Sequence, residues 1–157
     1  SLSKSYNFGI KKSNFPLKTK VDADDLLESN FFEDYLKEFK AKNYDLIFGN
    51  LKIVDKETNI IKTKIQDKKL IGSKFLYPVG SGTIYKKKIW EQIGGFDEKL
   101  NYQDDYDFWL KINRIRNIKL GAINKSAYKY RMHSLNMSNN LVKKNLSKIY
   151  VFLKNFI

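Results

Sequence analysis

Cysteine is absent from the 157 residues, histidine occurs once (His133), and no carboxylate follows Asp107. Without thiols, disulfides and thiolate metal sites are excluded, and nothing favours an oxidising compartment. No charged n-region followed by an apolar h-region opens the chain, so no signal peptide is expected. The longest unbroken apolar run, Ile149 to Leu153, is far short of the roughly 20 residues a membrane-spanning helix needs. Internal repeats and low-complexity segments are also missing. The chain starts at Ser1 without a methionine, as a processed or cut-down polypeptide would.

What is present amounts to about one domain, with 42% hydrophobic and 15% aromatic residues, enough to bury a core. Charge is plentiful and uneven: 30 Lys and Arg face 17 Asp and Glu, a formal net charge of +13. Twelve of the 17 acids fall in two windows, Asp22 to Asp34 and Glu91 to Asp107, while eleven Lys and Arg follow Asp107. Two like charges about 4 Å apart repel by roughly 1 kcal/mol in water, so crowded acids in a basic protein need a reason. A basic half facing two acidic clusters fits a site for an anionic ligand held partly through metal, or a protein resting on an anionic membrane. For the tail alone, a solvated lysine surface explains the charge equally well.

The spacing predicts alternating strands and helices, hence an α/β fold. Leu17 to Val21 reads as a short strand entering the acidic turn. Leu27, Phe31, Tyr35 and Phe39 repeat at helical spacing, predicting an amphipathic helix over 25–42. Strands are expected at 44–50, 51–55 and "NIIKTKI", the last two joined by the turn "KETN". "VGSGTIYKK" (79–87) is a glycine-bearing loop entering a strand, and "KIWEQIGG" a short helix stopped by Gly94–Gly95. "DDYDFWLKINRIR" predicts another helix, followed by strands near "IKLGAI" and "SAYKYRMH". Residues 139–157 form a separate C-terminal unit, a basic amphipathic helix with Val142, Leu146, Ile149, Leu153 and Phe156 on one face.

Each acidic cluster has a structural and a chemical interpretation. Asp25 followed by Glu28 resembles a capping box, and acids at a helix start are favoured by its dipole. That leaves Asp22, at the end of a strand, unexplained. Three carboxylates in four residues can converge on one hard cation such as Mg²⁺ or Mn²⁺, and on residue types alone the two alternatives balance. Asp104, Asp105 and Asp107 likewise decorate a helix start, yet a carboxylate there, beside a glycine loop, can serve as general base toward a hydroxyl.

In order, "VDADDLLESNFFEDYL…YDLIFGN", "GSGTIYKKKIWEQIGGFDEKLNYQDDYDFWLKI" and "YRMHSLNMS" resemble family 2 glycosyltransferases of the GT-A fold. The resemblance covers roughly residues 5–138. It implies a partial GT-A fold, a mixed sheet flanked by helices, whose residues 1–138 are the catalytic and acceptor-side portion. It implies that "DADD" is a DxD-type motif: Asp24 on a divalent Mg²⁺ or Mn²⁺, with His133 beside it, Asp22 toward the nucleotide ribose, and Asp25 supporting. Asp105 becomes the catalytic base and Asp104 its partner, where the family pattern has a glutamate. Gly80, Ser81 and Gly82 approach the donor, Thr83 and Trp90 the acceptor side, and Arg131 the same anion as His133. For Trp90 and "GGFDE", core packing and helix termination are the alternative, as a purely structural role is for His133.

The implied reaction is inverting, non-processive transfer of a sugar from a nucleotide-diphosphate sugar to a hydroxyl, the QxxRW-type motif of processive synthases being missing. A surface-glycan or lipid-linked acceptor and a cytoplasmic location, peripheral on the inner membrane face, follow from the same resemblance. Family members carry a strand–helix–strand half before the DxD motif. Nothing here corresponds to it, so these residues alone are expected to be inactive. Two rivals stand: a nucleic-acid-binding basic module, against which the acidic clusters count so that no nucleic acid is expected as partner, and an inactive fragment serving as an interaction surface.

Overall fold

The computed structural model describes residues 1–156 and arranges them about a six-stranded mixed sheet flanked by helices, the α/β class that the sequence predicts. In chain order the elements are α1 (Leu2–Lys12), β1 (Leu17–Lys18), β2 (Leu26–Leu27), α2 (Phe31–Ala41), β3 (Leu46–Val54), β4 (Ile60–Lys64), β5 (Ile84–Lys86), α3 (Lys87–Gln92), α4 (Asp104–Ile112), β6 (Leu120–Arg131) and α5 (Leu141–Phe156). The strand order is β1-β5-β3-β6-β2, with β4 pairing β3 outside this path. Only β3 and β6 run parallel.

β3 is buried on both faces because its side chains alternate between two cores. Ile47 and Leu51 join Phe31, Tyr35 and Phe39 of α2 on one side. Leu46 and Phe48 join Ile89 and Trp90 of α3 and Phe108, Trp109 and Ile112 of α4 on the other. A third cluster, Leu100, Tyr106, Leu110 and Val151, fastens α5 to α4.

Two sets of sequence expectations change, and packing settles the direction in which α5 faces. The helix expected from 25 begins only at Phe31, because Leu26 and Leu27 pair as β2 with Lys129 and Tyr128 of β6. The Asp25–Glu28 capping box therefore does not form. Asn30 holds the N-cap position, Asp25 accepts the Arg131 N–H at 2.9 Å, and Glu28 pairs with Lys52 at 2.8 Å. The segments 44–50 and 51–55 form the single strand β3, and the two strands expected after α4 form the single strand β6. The β3–β6 register slips beside Gly49 and Asn50, a bulge that absorbs the polar "NKS" between the apolar halves of β6. On α5, the predicted apolar stripe exists but points outward: Val142 is 71% exposed and Ile149 57%, while Val151 opposite them is buried.

Candidate active site

A cleft of about 790 Å³ opens between Tyr6 of α1, the turn Lys20–Asp24 after β1, Tyr77, Gln103–Asp105 at the start of α4, Tyr130 near the end of β6, Asn136–Ser138 beyond it, and Lys144 of α5. Both acidic clusters reach it. Asp22 accepts hydrogen bonds from the Tyr6 hydroxyl and, at 2.9 Å, from the Ser81 hydroxyl. Asp24 projects further out, its Oδ2 2.8 Å from Nε2 of His133. Asp25 turns inward onto the Arg131 N–H. Burial pushes the Asp25 carboxyl up to about 6 despite that bond, with Asp22 and Asp24 adding to the rise. The Arg131 guanidinium binds the carbonyls of Asp24 (3.1 Å) and Lys56 (2.6 Å), so it clamps the turn.

The glycine loop lies against α4. The Gly80 N–H donates to Oδ2 of Asp105 at 3.0 Å, and the Gly82 N–H to the Lys20 carbonyl at 3.1 Å. Gly82 has φ +71°, the left-handed region that favours glycine. Thr83 and Trp90 do not line the cleft. Thr83 is buried, its hydroxyl on the Val79 carbonyl at 3.2 Å, and Trp90 packs in the α3–α4 core with Nε1 donating to Asn7 at 3.0 Å.

Several residues that shape the site were not apparent from the sequence. Lys20, with a nearly buried side chain, places its ammonium 2.7 Å from Oδ1 of Asp105 and 3.3 Å from Oδ2 of Asp104. Burial alone would lower its pKa, but Asp105 and Asp104 outweigh burial and hold it well above the usual lysine range. Burial, then the charge of Asp105, pushes the Asp104 carboxyl up against the pull of Lys20. Burial also holds the Tyr6 hydroxyl high, Lys20 opposing and Asp22 adding. Gln103, just before α4, has φ +65°, a sparsely populated conformation for a residue with a side chain. Its Oε1 accepts the Tyr77 hydroxyl at 2.5 Å. Asn7, buried on α1, bonds Phe96 N and O and Trp90 Nε1, holding the loop that leads to α4. Buried Gln66 donates to the Gly49 carbonyl (2.6 Å) and accepts from Val79 N (2.8 Å), anchoring the glycine loop to β3. The sequence carried no local signal for them: Lys20 lies just past β1 in "LKTKVD", where its lysine looks like any other in this lysine-rich chain.

No group of three or more His, Asp or Glu side chains is arranged for a metal ion among the described residues. Asp24 and His133 form a two-donor pair at the cleft edge. The pair offers one carboxylate and one imidazole, bonded to each other; Mg²⁺ and Mn²⁺ draw on carboxylate oxygens, waters and phosphate oxygens.

No family model matches the chain. An uncharacterised glycosyltransferase of Rickettsia bellii is 30% identical over 124 residues, which span 71% of this chain and 18% of that protein. A second, from Rickettsia typhi, is 26% identical over 123 residues, 71% of this chain and 39% of that protein. The chain is glycosyltransferase-like. It spans less than half the length of either relative. Among solved structures, S. aureus TarS 1-349 in complex with UDP-GlcNAc superposes with a TM-score of 0.68 at 15% identity, over 88% of this chain and 41% of that one. The UDP complex of the same protein gives 0.66 at 13% identity, over 98% and 44%. At these identities the likeness is one of fold.

Proposed function

We propose that the chain is the catalytic and acceptor-side portion of a GT-A glycosyltransferase of the family 2 type, which moves a sugar from a nucleotide-diphosphate donor to a hydroxyl. The observation that carries this is the cleft itself. Asp24, bonded to His133, lines one wall, and Asp105, both oxygens held by Lys20 and Gly80, lines the other. The relatives' names and the UDP and UDP-GlcNAc complexes of the similar fold support the donor class.

In this mechanism Asp22, Asp24 and His133 face the nucleotide-diphosphate end of the donor. Asp24 and His133 would hold the divalent ion, which when bound neutralises charge on the departing diphosphate. Asp105 takes the acceptor hydroxyl's proton as that oxygen attacks the anomeric carbon from the opposite side, inverting it. Asp104 shares the Lys20 counter-ion with it. Of the glycine loop, the Gly80 N–H holds Asp105 from behind the cleft wall, and the Ser81 hydroxyl holds Asp22. The lysine excess and the outward apolar stripe of α5 support an anionic membrane face as the working surface, with a glycan or lipid-linked acceptor. A nucleic-acid partner fits less well, since four carboxylates line this cleft and would repel a phosphate backbone there.

Titration of the chain with UDP and UMP in the presence of Mn²⁺ tests the diphosphate grip. UDP is expected to bind at least about tenfold more tightly than UMP, and Asp24→Asn to remove most of that difference, because a hard anionic ligand becomes neutral. Equal, Mn²⁺-independent binding of UDP and UMP would sink the assignment.

A further inference from the structure

We infer that Lys20 is a positioning residue of this site, the internal counter-ion that sets the charge of the Asp104–Asp105 pair and aims Asp105 into the cleft. This rests on Asp105 acting as the base proposed above. The geometry is a closed ring. The Lys20 carbonyl accepts the Gly82 N–H at 3.1 Å, its ammonium pairs with Oδ1 of Asp105 at 2.7 Å, and Oδ2 of Asp105 accepts the Gly80 N–H at 3.0 Å. One residue thus ties the glycine loop to α4 through both its backbone and its side chain. The ammonium is also fixed from behind, 4.4 Å from the centre of the Tyr6 ring and 5.5 Å from that of Phe96.

A nearly buried ammonium between two carboxylates is not a surface ion pair. Removing one partner of such a group leaves the other charges uncompensated, and adjacent carboxylates then resist joint ionisation. The charged and titratable groups around the pair are Tyr6 on α1, Asp22 on the turn and Tyr77 on the loop before Gly80. Tyr85 of β5 and Tyr128 of β6 face it from the sheet. None of these is a cation; Lys144 of α5 also lines the cleft, but among the described residues it is Lys20 whose ammonium forms ion pairs with Asp104 and Asp105.

The experiment is a carboxyl ¹³C NMR titration of the aspartate-labelled chain, with signals assigned by Asp104→Asn and Asp105→Asn. In Lys20→Met, which keeps the stem over the two rings, one carboxyl of the pair is expected to protonate about one pH unit or more above its wild-type value. Lys20→Arg, which restores the cation, should return it toward wild type. A reciprocal measurement needs no substitution at Lys20. In Asp105→Asn the wild-type Lys20 Nζ resonance should deprotonate at lower pH than in the parent chain, so the test survives even if Lys20→Met does not fold. Unchanged titration of the pair in folded Lys20→Met, or an unmoved Lys20 in Asp105→Asn, overturns the inference. Failure of the diphosphate grip is a separate result: it would remove the sugar-transfer proposal and leave the titration to decide the role of Lys20.

Discussion

Gly80 carries no side chain because Asp105 occupies the space one would need. A Cβ there would lie 2.1 Å from Oδ1 of Asp105 and 2.8 Å from Cε of Lys20. Gly80→Ala should therefore push the carboxylate or the lysine stem out of place and cost on the order of 1–3 kcal/mol, the usual range for overpacking a tight site. Thermal unfolding checks the stability, and UDP titration checks whether the far wall survives. A variant that melts with wild type would show that the loop moves aside freely. The sequence made much of this site readable, because chemistry concentrates in a few residue types: Asp22, Asp24, Asp104 and Asp105 all line the cleft. Lys20, Asn7 and Gln66 were opaque for a physical reason. Each contributes hydrogen bonds or charge to partners 13 to 91 positions away, and no local period or spacing marks such a residue as inward-facing.

Among the elements, the sequence located α2, α4 and α5 and the start of α4 at Asp104, but not the start of α2 or the way α5 faces. The apolar residues Leu26 and Leu27 fit a helical period as well as a strand, and only pairing with β6, a hundred residues away, makes them extended. On α5 the sequence placed an apolar stripe on one face of a basic amphipathic helix, and packing decides where that stripe and the lysines go. Lys148 bonds the Phe75 carbonyl, Lys154 pairs with Asp97 and Asp107, and Lys144 lines the cleft, whereas Val142, Leu146, Ile149 and Leu153 face solvent. Membrane attraction should then draw mainly on burial of apolar side chains, worth about 1.5–3 kcal/mol each when complete, with the general lysine excess adding a smaller, salt-sensitive part. In co-sedimentation with phosphatidylserine-containing vesicles, Ile149→Glu is expected to lower binding several-fold, while raising salt lowers it less. Identical pelleting of wild type and Ile149→Glu would assign the stripe to something other than a bilayer.

For the molecule as a whole, acid pH sets the electrostatic limit. At neutral pH, 17 carboxylates temper 30 Lys and Arg. As they protonate, the positive charges are left unopposed and self-repulsion favours the expanded state. Specific pairs are lost in the same range. Burial would raise the Asp107 carboxyl, but hydrogen bonds from Lys111, Lys154 and Asn155 outweigh it and hold it below the usual range. The same balance, with Lys154 as partner, lowers Asp97, and Lys86 with the Lys119 N–H lowers Asp45. A carboxyl whose folded pKa lies below its unfolded value of about 3.9 contributes stability that is complete above that value and disappears as pH falls through the folded one. Asp107 matters most, since its side chain is 1% exposed and two lysines, one from α4 and one from α5, converge on it at 2.7 and 2.8 Å. Asp107→Asn keeps the shape and some hydrogen bonding but leaves both lysines without their buried partner. It should lose about 1–3 kcal/mol at pH 7, and the gap to wild type should narrow as pH falls from 5 toward 3, because wild type is then losing the same charge. Denaturant unfolding at pH 7, 5 and 3.5 measures the gap directly. A difference that stays constant across that range would mean that Asp107 holds α5 to α4 by packing rather than by charge.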